Sequence, residues 1–233
     1  MNLQHRSYKK ELLDGDDISL PDVKRNMQEL DIINTWLGGH TITIAGLKKL
    51  LAGRKEITIC EIGCGGGDNL AAIAKWCRKK DIQLHCIGID IKPACIKVAM
   101  NNKYCGQHSK WIISDYRHIT FANKPGIIFS SLFCHHFSEA ELIQQLQWMY
   151  DNSTIGFFIN DLHRHRLAYY SIKILTAVFS SSYLVKNDAP LSVARGLTRK
   201  EWQYIFNSTP QYNYTITWKW AFRFLITCRH NEQ

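Results

Sequence analysis

A glycine-rich stretch is the part of this sequence whose residue types best suit ligand chemistry. Residues 61–68 read EIGCGGGD, and they join an apolar, β-branched run to an amphipathic one. Glycines at such a junction let the chain turn sharply and let a ligand approach the backbone closely. The first turn of the following helix also offers unpaired N–H groups. The pattern therefore predicts a nucleotide-like cofactor bound between a strand and a helix.

The spacing of these glycines excludes two common phosphate-binding loops. The dinucleotide fingerprint G-x-G-x-x-G needs a third glycine where this chain carries Asp68. A carboxylate beside the helix start would also repel a pyrophosphate. A Walker A loop is excluded because no Gly-Lys-Ser/Thr follows. The motif that remains is E-x-G-x-G-x-G, from Glu61 to Gly67.

Two further acidic residues stand where later apolar runs end. Asp90 closes the run IGID, 27 positions after Gly63, and Asp115 follows the next run, in ISDYRH. An acid that ends an apolar strand is costly to bury without a partner, so Asp90 indicates a ligand-binding position. Together with the glycine motif, these acids resemble the class I S-adenosylmethionine-dependent methyltransferases. The resemblance covers roughly residues 55–160 and, more loosely, the two strand-like runs near the C-terminus.

The resemblance implies S-adenosylmethionine as the cofactor and assigns roles to the residues around it. Gly63 and Gly65 would let the methionine part lie against the backbone, and Glu61 would face its ammonium group. Asp90 would bind the two ribose hydroxyls through its two carboxylate oxygens, and Asp115 would accept a hydrogen bond from the adenine amino group. The predicted cofactor-binding residues are Glu61, Gly63, Gly65, Gly67, Asp90, Ile91, Asp115, Tyr116 and Ser131.

The elements that position these residues follow from the periodicity of the chain. After residue 53, apolar runs alternate with amphipathic stretches, which predicts βαβ units and a mainly parallel sheet covered on both faces. With the resemblance, this indicates an α/β fold: a doubly wound, Rossmann-like sheet of seven strands, mostly parallel, with a terminal antiparallel strand and N-terminal helices. The predicted strands are 57–62, 84–89, 111–114, 127–132, 155–160, 212–218 and 222–228. The predicted helices among the first five strands are 68–79, 93–104 and 139–150.

Residues 1–53 are predicted to form a helical cap within the same domain as the methyltransferase region, 54–233. The run Ser19-Leu20-Pro21-Asp22 resembles a capping box, the apolar spacing after it is helical, and Gly38 can end that helix. A second short helix is predicted over Ile44–Ala52.

The last third departs from the alternation. Residues 163–180 are predicted as a helix, 181–197 as an irregular loop and 198–206 as a short helix. The final two strands are joined so closely that they must form a hairpin. In the family that the chain resembles, the region between strands five and six builds a substrate lid, so a lid insertion is predicted at about 163–207.

Ligands of doubly wound sheets bind beyond the carboxyl ends of the strands, and histidines follow two of these ends. His136 lies in FCHHF after strand four, and His163 lies in NDLHRHR after strand five. A hydroxyl acceptor gains from a general base, most often histidine, so both are candidate bases. Purely structural alternatives stay open for these residues. His136 can pack under the cofactor loop, His163 can begin the next helix, and Tyr116 can be a half-buried loop aromatic.

Four residues are candidates for substrate contact. Asp161 can orient a histidine or, as the favoured interpretation, cap the next helix. Arg164 can bind an anionic substrate, although an exposed helix face explains it better. Tyr169 and Tyr183 belong to a lid rich in aromatic and small polar residues, which suits an apolar or aromatic acceptor.

The predicted function is methyl transfer to a hydroxyl of a small aromatic, lipid-like or polyketide acceptor. The segment after strand four resembles that of small-molecule methyltransferases, similar in general to bacterial quinone- and polyketide-tailoring enzymes, and it lacks the Asn/Asp-Pro-Pro-aromatic motif of amino-group methylation. An anionic, carrier-bound or lipid-like acceptor would fit. Two alternatives stay open: an RNA methyltransferase that uses the basic last third, and a non-catalytic S-adenosylmethionine-binding partner subunit.

The formal net charge of +9 is unevenly distributed over the 233 residues. Residues 156–233 carry ten basic and four acidic side chains, which invites the nucleic-acid alternative. No apolar run reaches the roughly 18–20 residues of a membrane span and no secretory signal is visible, so a cytoplasmic location is predicted. The eight cysteines form no CxxC pair, which predicts reduced thiols and no metal site.

Overall fold

One mixed sheet of seven strands forms the centre of the part of the chain that the structure describes. The computed structural model describes residues 2–15, 17–102, 109–209 and 212–230. The strands are β1 Glu56–Ile62, β2 Gln83–Asp90, β3 Ser109–Ile113, β4 Ile127–Ser131, β5 Gly156–Leu162, β6 Asn213–Lys219 and β7 Arg223–Arg229. They lie in the order β3-β2-β1-β4-β5-β7-β6. The first five in this order are parallel, and β7 is antiparallel to both β5 and β6.

This topology confirms the predicted doubly wound sheet. Every predicted strand is present, and its bounds differ from the prediction by at most two residues. The chain crosses from one half of the sheet to the other between β3 and β4, so β1 and β4 are neighbours whose following segments turn away from each other. Such a switch point leaves a crevice at the carboxyl ends of the strands, where ligands of these folds bind.

Helices cover both faces of the sheet. Those of the described residues are α1 Leu20–Trp36, α2 Gly39–Leu51, α3 Asp68–Arg78, α4 Pro93–Met100, α5 Glu139–Asn152, α6 Arg166–Phe179, α7 Tyr183–Arg195 and α8 Arg199–Asn207. The Ser19 hydroxyl caps α1, as predicted, by accepting a hydrogen bond from the Asp22 N–H. Helix α4 ends at Met100 with Asn101 as its C-cap, earlier than predicted, and positions 103 and 104 of the predicted helix lie outside the described residues. Within the described ranges, no helix is both long enough and apolar enough to cross a membrane.

The prediction of an irregular loop over 181–197 is wrong, because most of this segment forms α7. The Ser182 hydroxyl caps the helix by accepting from the Val185 N–H, and Pro190 lies inside it. An internal proline costs a helix roughly 3 kcal/mol. Leu184 and Val193 are buried, and their burial offsets that cost. Local signals predicted a loop, whereas tertiary packing determines a helix.

Helix α2 begins at Gly39, five residues before the predicted start. Gly38 separates it from α1 and has a φ of 74°, in the left-handed region that favours glycine. Gly39 is a weak helix former, but its carbonyl accepts a hydrogen bond from Asn160 Nδ2 at 3.0 Å. This contact with β5 holds the first turn in place, and it has no signal in the local sequence.

Each face of the sheet carries its own apolar core. Phe157 of β5 belongs to one core with Trp202 of α8, and its neighbour Phe158 belongs to the other with Leu47 of α2. All four side chains are fully buried. The seven cysteines of the described ranges are buried free thiols, in agreement with the prediction of reduced cysteines, whereas Cys105 lies outside those ranges.

The crossing of α2 over β5 predicts an unusual response at Gly46. A Cβ at this position would lie 2.5 Å from Cδ2 of Phe158. Alanine improves helix propensity by about 1 kcal/mol, yet we expect Gly46→Ala to destabilise the protein by about 1–3 kcal/mol because the core is overpacked. Chemical denaturation measures the change.

The matched control is Gly46→Ala combined with Phe158→Leu, which makes room for the new methyl group. We expect the second substitution to cost less in the Gly46→Ala background than in the natural chain. A Gly46→Ala variant more stable than the natural protein would contradict the close packing.

Candidate active site

A cavity of about 620 Å³ lies at the carboxyl edge of the sheet. Its floor is formed by the glycine loop after β1 and by the segments that follow β2 and β4, and its walls come from α1, α6 and α7. Most of the predicted cofactor residues line it, namely Glu61, Gly63, Gly65, Asp90, Ile91, Asp115, Tyr116 and Ser131. The ninth, Gly67, does not.

The glycine loop adopts a backbone that only glycine takes up easily. Gly63 and Gly65 have φ angles of 65° and 50°. A side chain on Gly63 would also collide with the ring of Phe133. Gly67 differs from these two, since it precedes α3 with a φ of 73°, and a Cβ there would lie 2.6 Å from Cη2 of Trp111. Its small size serves packing rather than the cavity.

Glu61 is buried at the end of β1 with one carboxyl oxygen unpaired. Its Oε1 accepts a hydrogen bond from Asn69 Nδ2 at 3.2 Å, while Oε2 has no hydrogen-bond partner among the described residues. Burial raises the pKa of Glu61 well above its usual value, and the nearby Asp68 raises it further. A cationic group beside Oε2 would stabilise the carboxylate. The position is therefore suited to an ammonium group.

Asp90, at the end of β2, keeps acceptor capacity on both carboxylate oxygens. Oδ2 accepts from the Gly65 N–H and Oδ1 from the Lys92 N–H, each at 2.9 Å. Each oxygen has a further lone-pair site, so the carboxylate matches two neighbouring hydroxyls. Asp115 differs, because Arg117 occupies its carboxylate with the backbone N–H and the guanidinium. A hydrogen bond from an adenine amino group would compete with Arg117.

Tyr116 is a buried aromatic whose edge lines the cavity. It is 5% exposed and packs edge-to-face against Trp148 and Phe137. Burial raises its pKa to about 12. The alternative of a half-buried loop aromatic is therefore wrong about its exposure. At the same end of the cavity, the buried Ser131 hydroxyl has no hydrogen-bond partner within the described ranges, and Ile91 is largely exposed.

A network of histidines and acids adjoins the cavity, and we call it the histidine–acid network: Glu11, Asp14, His135 and His136 line the cavity, and Asp161 is buried behind His135. His135 Nδ1 lies 2.8 Å from Asp161 Oδ1, and its Nε2 lies 3.4 Å from Glu11 Oε1. His136 Nδ1 lies 3.4 Å from Asp14 Oδ1, and its Nε2 lies 3.7 Å from Glu11 Oε2. The Nε2 contact of His135 has ion-pair distance without hydrogen-bond geometry. Two adjacent histidines thus face three acids.

Burial and charge make the two histidines different. His135 is 2% exposed, and burial alone would lower its pKa. Asp161 and then Glu11 outweigh that effect and raise the pKa of His135 to about 9, so it is an imidazolium at neutral pH. The side chain of His136 is 22% exposed and faces the cavity. Next to the two histidines, burial raises the pKa of Asp14, but the hydrogen bond and the charge of His136, a backbone hydrogen bond at Glu11 and the charge of Arg195 together outweigh burial and hold this pKa at about 2.

Three predicted site residues do not reach the cavity. His163 packs against the ring of Phe224, so it is not placed to act as a base. Asp161 does not cap the next helix, because the His165 imidazole accepts from the Leu167 N–H and takes that position. Asp161 is instead buried beneath His135. Arg164 is buried rather than exposed, since its guanidinium pairs with Glu201 at 2.7 Å.

The two predicted lid tyrosines also lie off the cavity. Tyr169 is partly buried in the cluster between α6 and α7, and Tyr183 is exposed at the first turn of α7. The lid residues that do line the cavity are smaller or aliphatic, and they are Ala168, Ser171, Ile172, Leu175, Ala189, Ser192 and Val193. The aromatic content of this region therefore led to the prediction of individual residues that do not line the cavity.

Sequence reasoning missed Glu11, Asp14 and His135. The two acids lie in a polar N-terminal stretch with no motif, and His135 was passed over for its neighbour. The structure also gathers two groups of metal-type ligand atoms within 4.8 Å of one another: Glu11 with His135 and His136, and Asp31 with His40 and Asp68. The first group forms the ion pairs described above, and the absence of a metal site stays a prediction.

Comparison with known proteins bears on this architecture in two ways. Residues 59–154 match the sequence model of a family described as a methyltransferase domain. No curated protein matches the chain by sequence. The plantazolicin methyltransferase BpumL, solved with a monoazolic desmethylPZN analog and SAH, is 16% identical, with a TM-score of 0.67 over 94% of this chain and 92% of that one.

Two further solved structures share the fold. Magnesium protoporphyrin IX methyltransferase (ChlM) from Synechocystis PCC 6803, with bound SAH, is 12% identical, with a TM-score of 0.56 over 83% of this chain and 84% of that one. Human N-acetylserotonin methyltransferase (ASMT), in complex with SAM, is 14% identical, with a TM-score of 0.62 over 92% of this chain and 57% of that one. At these identities the likeness establishes the fold.

The sheet order and the glycine loop define the fold of the class I methyltransferases. Residues 59–154 match a methyltransferase domain, and the neighbours of this fold were solved with SAM or SAH, in agreement with the family and the cofactor that the resemblance of the sequence implies. The residues present fit this cofactor, because Gly63 and Gly65 line the cavity, Glu61 has an unpaired oxygen and Asp90 has two available acceptors.

The raised pKa of His135 predicts a pH dependence of stability. The folded protein holds the imidazolium up to about pH 9, whereas an unfolded histidine releases its proton near pH 6.5. The contribution is therefore fully present below about pH 6.5 and is lost as the pH rises to about 9. It is at most roughly 3 kcal/mol, because one pKa unit corresponds to about 1.4 kcal/mol.

Denaturant unfolding from pH 6 to 9.5 measures this loss, which we expect His135→Gln to remove. The control is His118→Gln, because His118 is exposed and should leave the slope unchanged. An equal slope in the natural protein and in His135→Gln would contradict the assignment.

Proposed function

We propose that the enzyme transfers the methyl group of S-adenosylmethionine to a hydroxyl of a small aromatic, lipid-like or polyketide acceptor. One observation carries the proposal: a single cavity joins the glycine loop and Asp90 to an apolar wall and to His136. When bound, the cofactor supplies a methyl group already activated on a sulfonium. The protein must then bind, orient and deprotonate the acceptor.

The proposed cofactor end is the floor of the cavity. Glu61 Oε2 would receive an ammonium group, and this would satisfy a buried acceptor that otherwise lacks a partner. Asp90, held by two backbone N–H groups, would accept from two ribose hydroxyls. Ile91, Tyr116 and Asp115 lie further along the same floor, where an adenine ring would follow the ribose.

The proposed acceptor end is apolar. Its lining comes from three helices and from the turn before β7, and includes Leu30, Ile33, Leu37, Ala168, Ile172, Leu175, Val193 and Phe222. Aliphatic walls with a few polar groups suit an aromatic or lipid-like molecule. The known neighbours do not narrow this class, since their names refer to plantazolicin, magnesium protoporphyrin IX and N-acetylserotonin.

We assign the general base to His136. It lines the cavity, and the Asp14 carboxylate lies beside its Nδ1, an arrangement that orients the ring. His135 is unsuited to this role because it already carries a proton at neutral pH. His163 is unsuited because it lies outside the cavity lining.

The structure offers less support for an RNA acceptor than the net charge suggested. Arg164, Arg195 and Arg223 account for three of the ten basic side chains in residues 156–233, and all three are buried. They bind groups of the protein itself, such as Glu201, the His136 carbonyl and Asn34. Charge held in this way is not available to a phosphate backbone.

Cofactor binding through Asp90 is tested by Asp90→Asn. The amide replaces a charged acceptor and brings a donor against the Gly65 and Lys92 N–H groups, so we expect affinity for S-adenosylhomocysteine to fall at least about tenfold. Isothermal titration calorimetry measures this. Asp81→Asn is the control, because Asp81 is exposed and has a φ of 52°, which asparagine tolerates. Failure of the natural protein to bind S-adenosylhomocysteine would overturn the proposal.

The role of His136 is tested by His136→Ala. Extracts incubated with methyl-labelled S-adenosylmethionine and analysed by mass spectrometry first identify an acceptor. With that acceptor, we expect kcat to fall by about 10²–10⁴-fold, while affinity for S-adenosylhomocysteine stays within twofold. His163→Ala is the matched control and should retain kcat. The opposite ranking of the two variants would refute the assignment of the base.

A further inference from the structure

Arg223 is a buried cation in the wall of the cavity. It is the first residue of β7 and pairs with Leu162 at the carboxyl end of β5. Its side chain is 2% exposed to solvent, and it lines the cavity. An arginine is almost never fully buried without a partner that satisfies its charge.

The donors of Arg223 are only partly used. Nη2 donates to Asn34 Oδ1 at 2.8 Å, whereas Nε and Nη1 are buried and have no hydrogen-bond partner in the described ranges. Burial lowers the pKa of Arg223 to about 10, and Asp161 and Asp68 counteract this in part. The group is therefore still a cation at neutral pH, with two donors unpaired.

The other buried arginines of the last third differ in this respect. Arg164 contacts a Glu201 oxygen at 2.7 Å, and Arg195 lies 3.5 Å from an Asp14 oxygen. Across the described part of the chain, no carboxylate oxygen lies within 4.0 Å of the Arg223 guanidinium. Among these three buried arginines, Arg223 is without a carboxylate partner and is also the one that lines the cavity.

Neighbouring groups hold the Arg223 guanidinium in place, and the N-terminal end of α2 lies beside it. Asn34 is fixed from its other side, since its Nδ2 donates to Asp68 Oδ2 at 3.0 Å. Gly39, in the first turn of α2, lies against the guanidinium, and a Cβ there would be 3.1 Å from Nη1. The N-terminal end of a helix carries partial positive charge. The arrangement is suited to an anion.

We propose that Arg223 is the anion-binding residue of the cavity and that it binds a carboxylate of the methyl acceptor. A carboxylate matches the planar guanidinium and is strongly bound by it. The proposal rests on the proposed methyl transfer, and it narrows the acceptor to one that carries an acidic group beside its apolar part.

A carboxylate could come from the cofactor as well as from the acceptor, and the sheet order favours the acceptor. The glycine loop follows β1, while Arg223 begins β7, and β4 and β5 lie between them. Three strand spacings amount to roughly 14 Å. The nucleoside part of the cofactor would extend from the glycine loop toward Asp90 on β2, which is the opposite direction. Asn34, however, links the Arg223 guanidinium to Asp68, which directly follows the glycine loop, so a test of the proposal must distinguish the two carboxylates.

Ligand binding to the natural protein and to Arg223→Met tests the proposal. With S-adenosylhomocysteine present, both are titrated with 3-phenylpropanoate and with 3-phenylpropanol, which replaces the carboxylate by a neutral alcohol. We expect the natural protein to prefer the carboxylate by about tenfold or more, as for a charged hydrogen bond. Arg223→Met should lose this preference and still bind S-adenosylhomocysteine within twofold.

A second pair of probes separates the two sources of the carboxylate. If Arg223→Met weakens S-adenosylhomocysteine at least tenfold but leaves its decarboxylated analogue unchanged, the residue serves the cofactor and the acceptor assignment is overturned. If neither pair of probes distinguishes the variant from the natural protein, the anion site is overturned as a whole. Absence of S-adenosylhomocysteine binding by the natural protein would instead count against the proposed function.

Folding is controlled on the same strand. Arg229→Met changes the arginine at the other end of β7, where it donates to the Lys49 carbonyl, and should leave all probe affinities unchanged. Arg223→Lys keeps the positive charge with a different shape, and we expect it to retain part of the carboxylate preference. If Arg223→Met does not fold, two other variants test the proposal: Arg223→Lys and Asn34→Ala, which removes the anchor of the guanidinium. Full preference for the carboxylate probe in both variants overturns the proposal.

Discussion

The ion pair between Asp161 and His135 supports the part of the cavity beside the histidine–acid network, a part that no sequence motif predicts. Asp161 ends β5 and His135 follows β4, so the pair bridges the carboxyl ends of two neighbouring strands. Both side chains are almost fully buried, and isolated charges in such a place are strongly destabilising. Each must therefore keep its partner, and the partners come from elsewhere in the chain. Glu11 approaches His135 from the N-terminal segment, and Arg195 donates to its carbonyl from α7.

The need of buried charges for partners also gives different surroundings to two histidines that are adjacent in sequence. His135 lies between two acids and is enclosed, so it stays protonated and serves as a fixed positive charge. His136 is held beside Asp14 but faces the cavity. The fixed cation of His135 therefore lies beneath the accessible imidazole of His136, and it gives the proposed acceptor end of the cavity a rigid support. The two histidines therefore differ because of where their side chains lie, and not because of their residue type.

The residues that line the floor of the cavity could be predicted from the sequence, because each of them is part of a local pattern of strand, turn and helix. Glu61 and Asp90 lie at the ends of apolar strands, and Gly63 and Gly65 adopt the left-handed backbone that a glycine-rich turn favours. The acceptor half could not be predicted, because contacts such as Glu11 with His135 join segments far apart in the chain. Arg164 illustrates the difficulty. Its local context indicates an exposed helix face, but its guanidinium is buried because it donates hydrogen bonds to Glu201 and to the Gly196 carbonyl.

The basic last third has a different meaning once the arginines are located. Arg164 and Arg195 each hold protein carbonyls and lie beside a carboxylate, so their charge serves the scaffold. Arg223 has a backbone position as fixed as theirs, but its charge is balanced only by acids at a distance. A folded chain tolerates such an imbalance where a ligand completes the set of partners. The excess of positive charge in the sequence is thus in part internal, and one of these internal charges, Arg223, lies at the wall of the cavity without a carboxylate partner, where it selects for an acidic molecule.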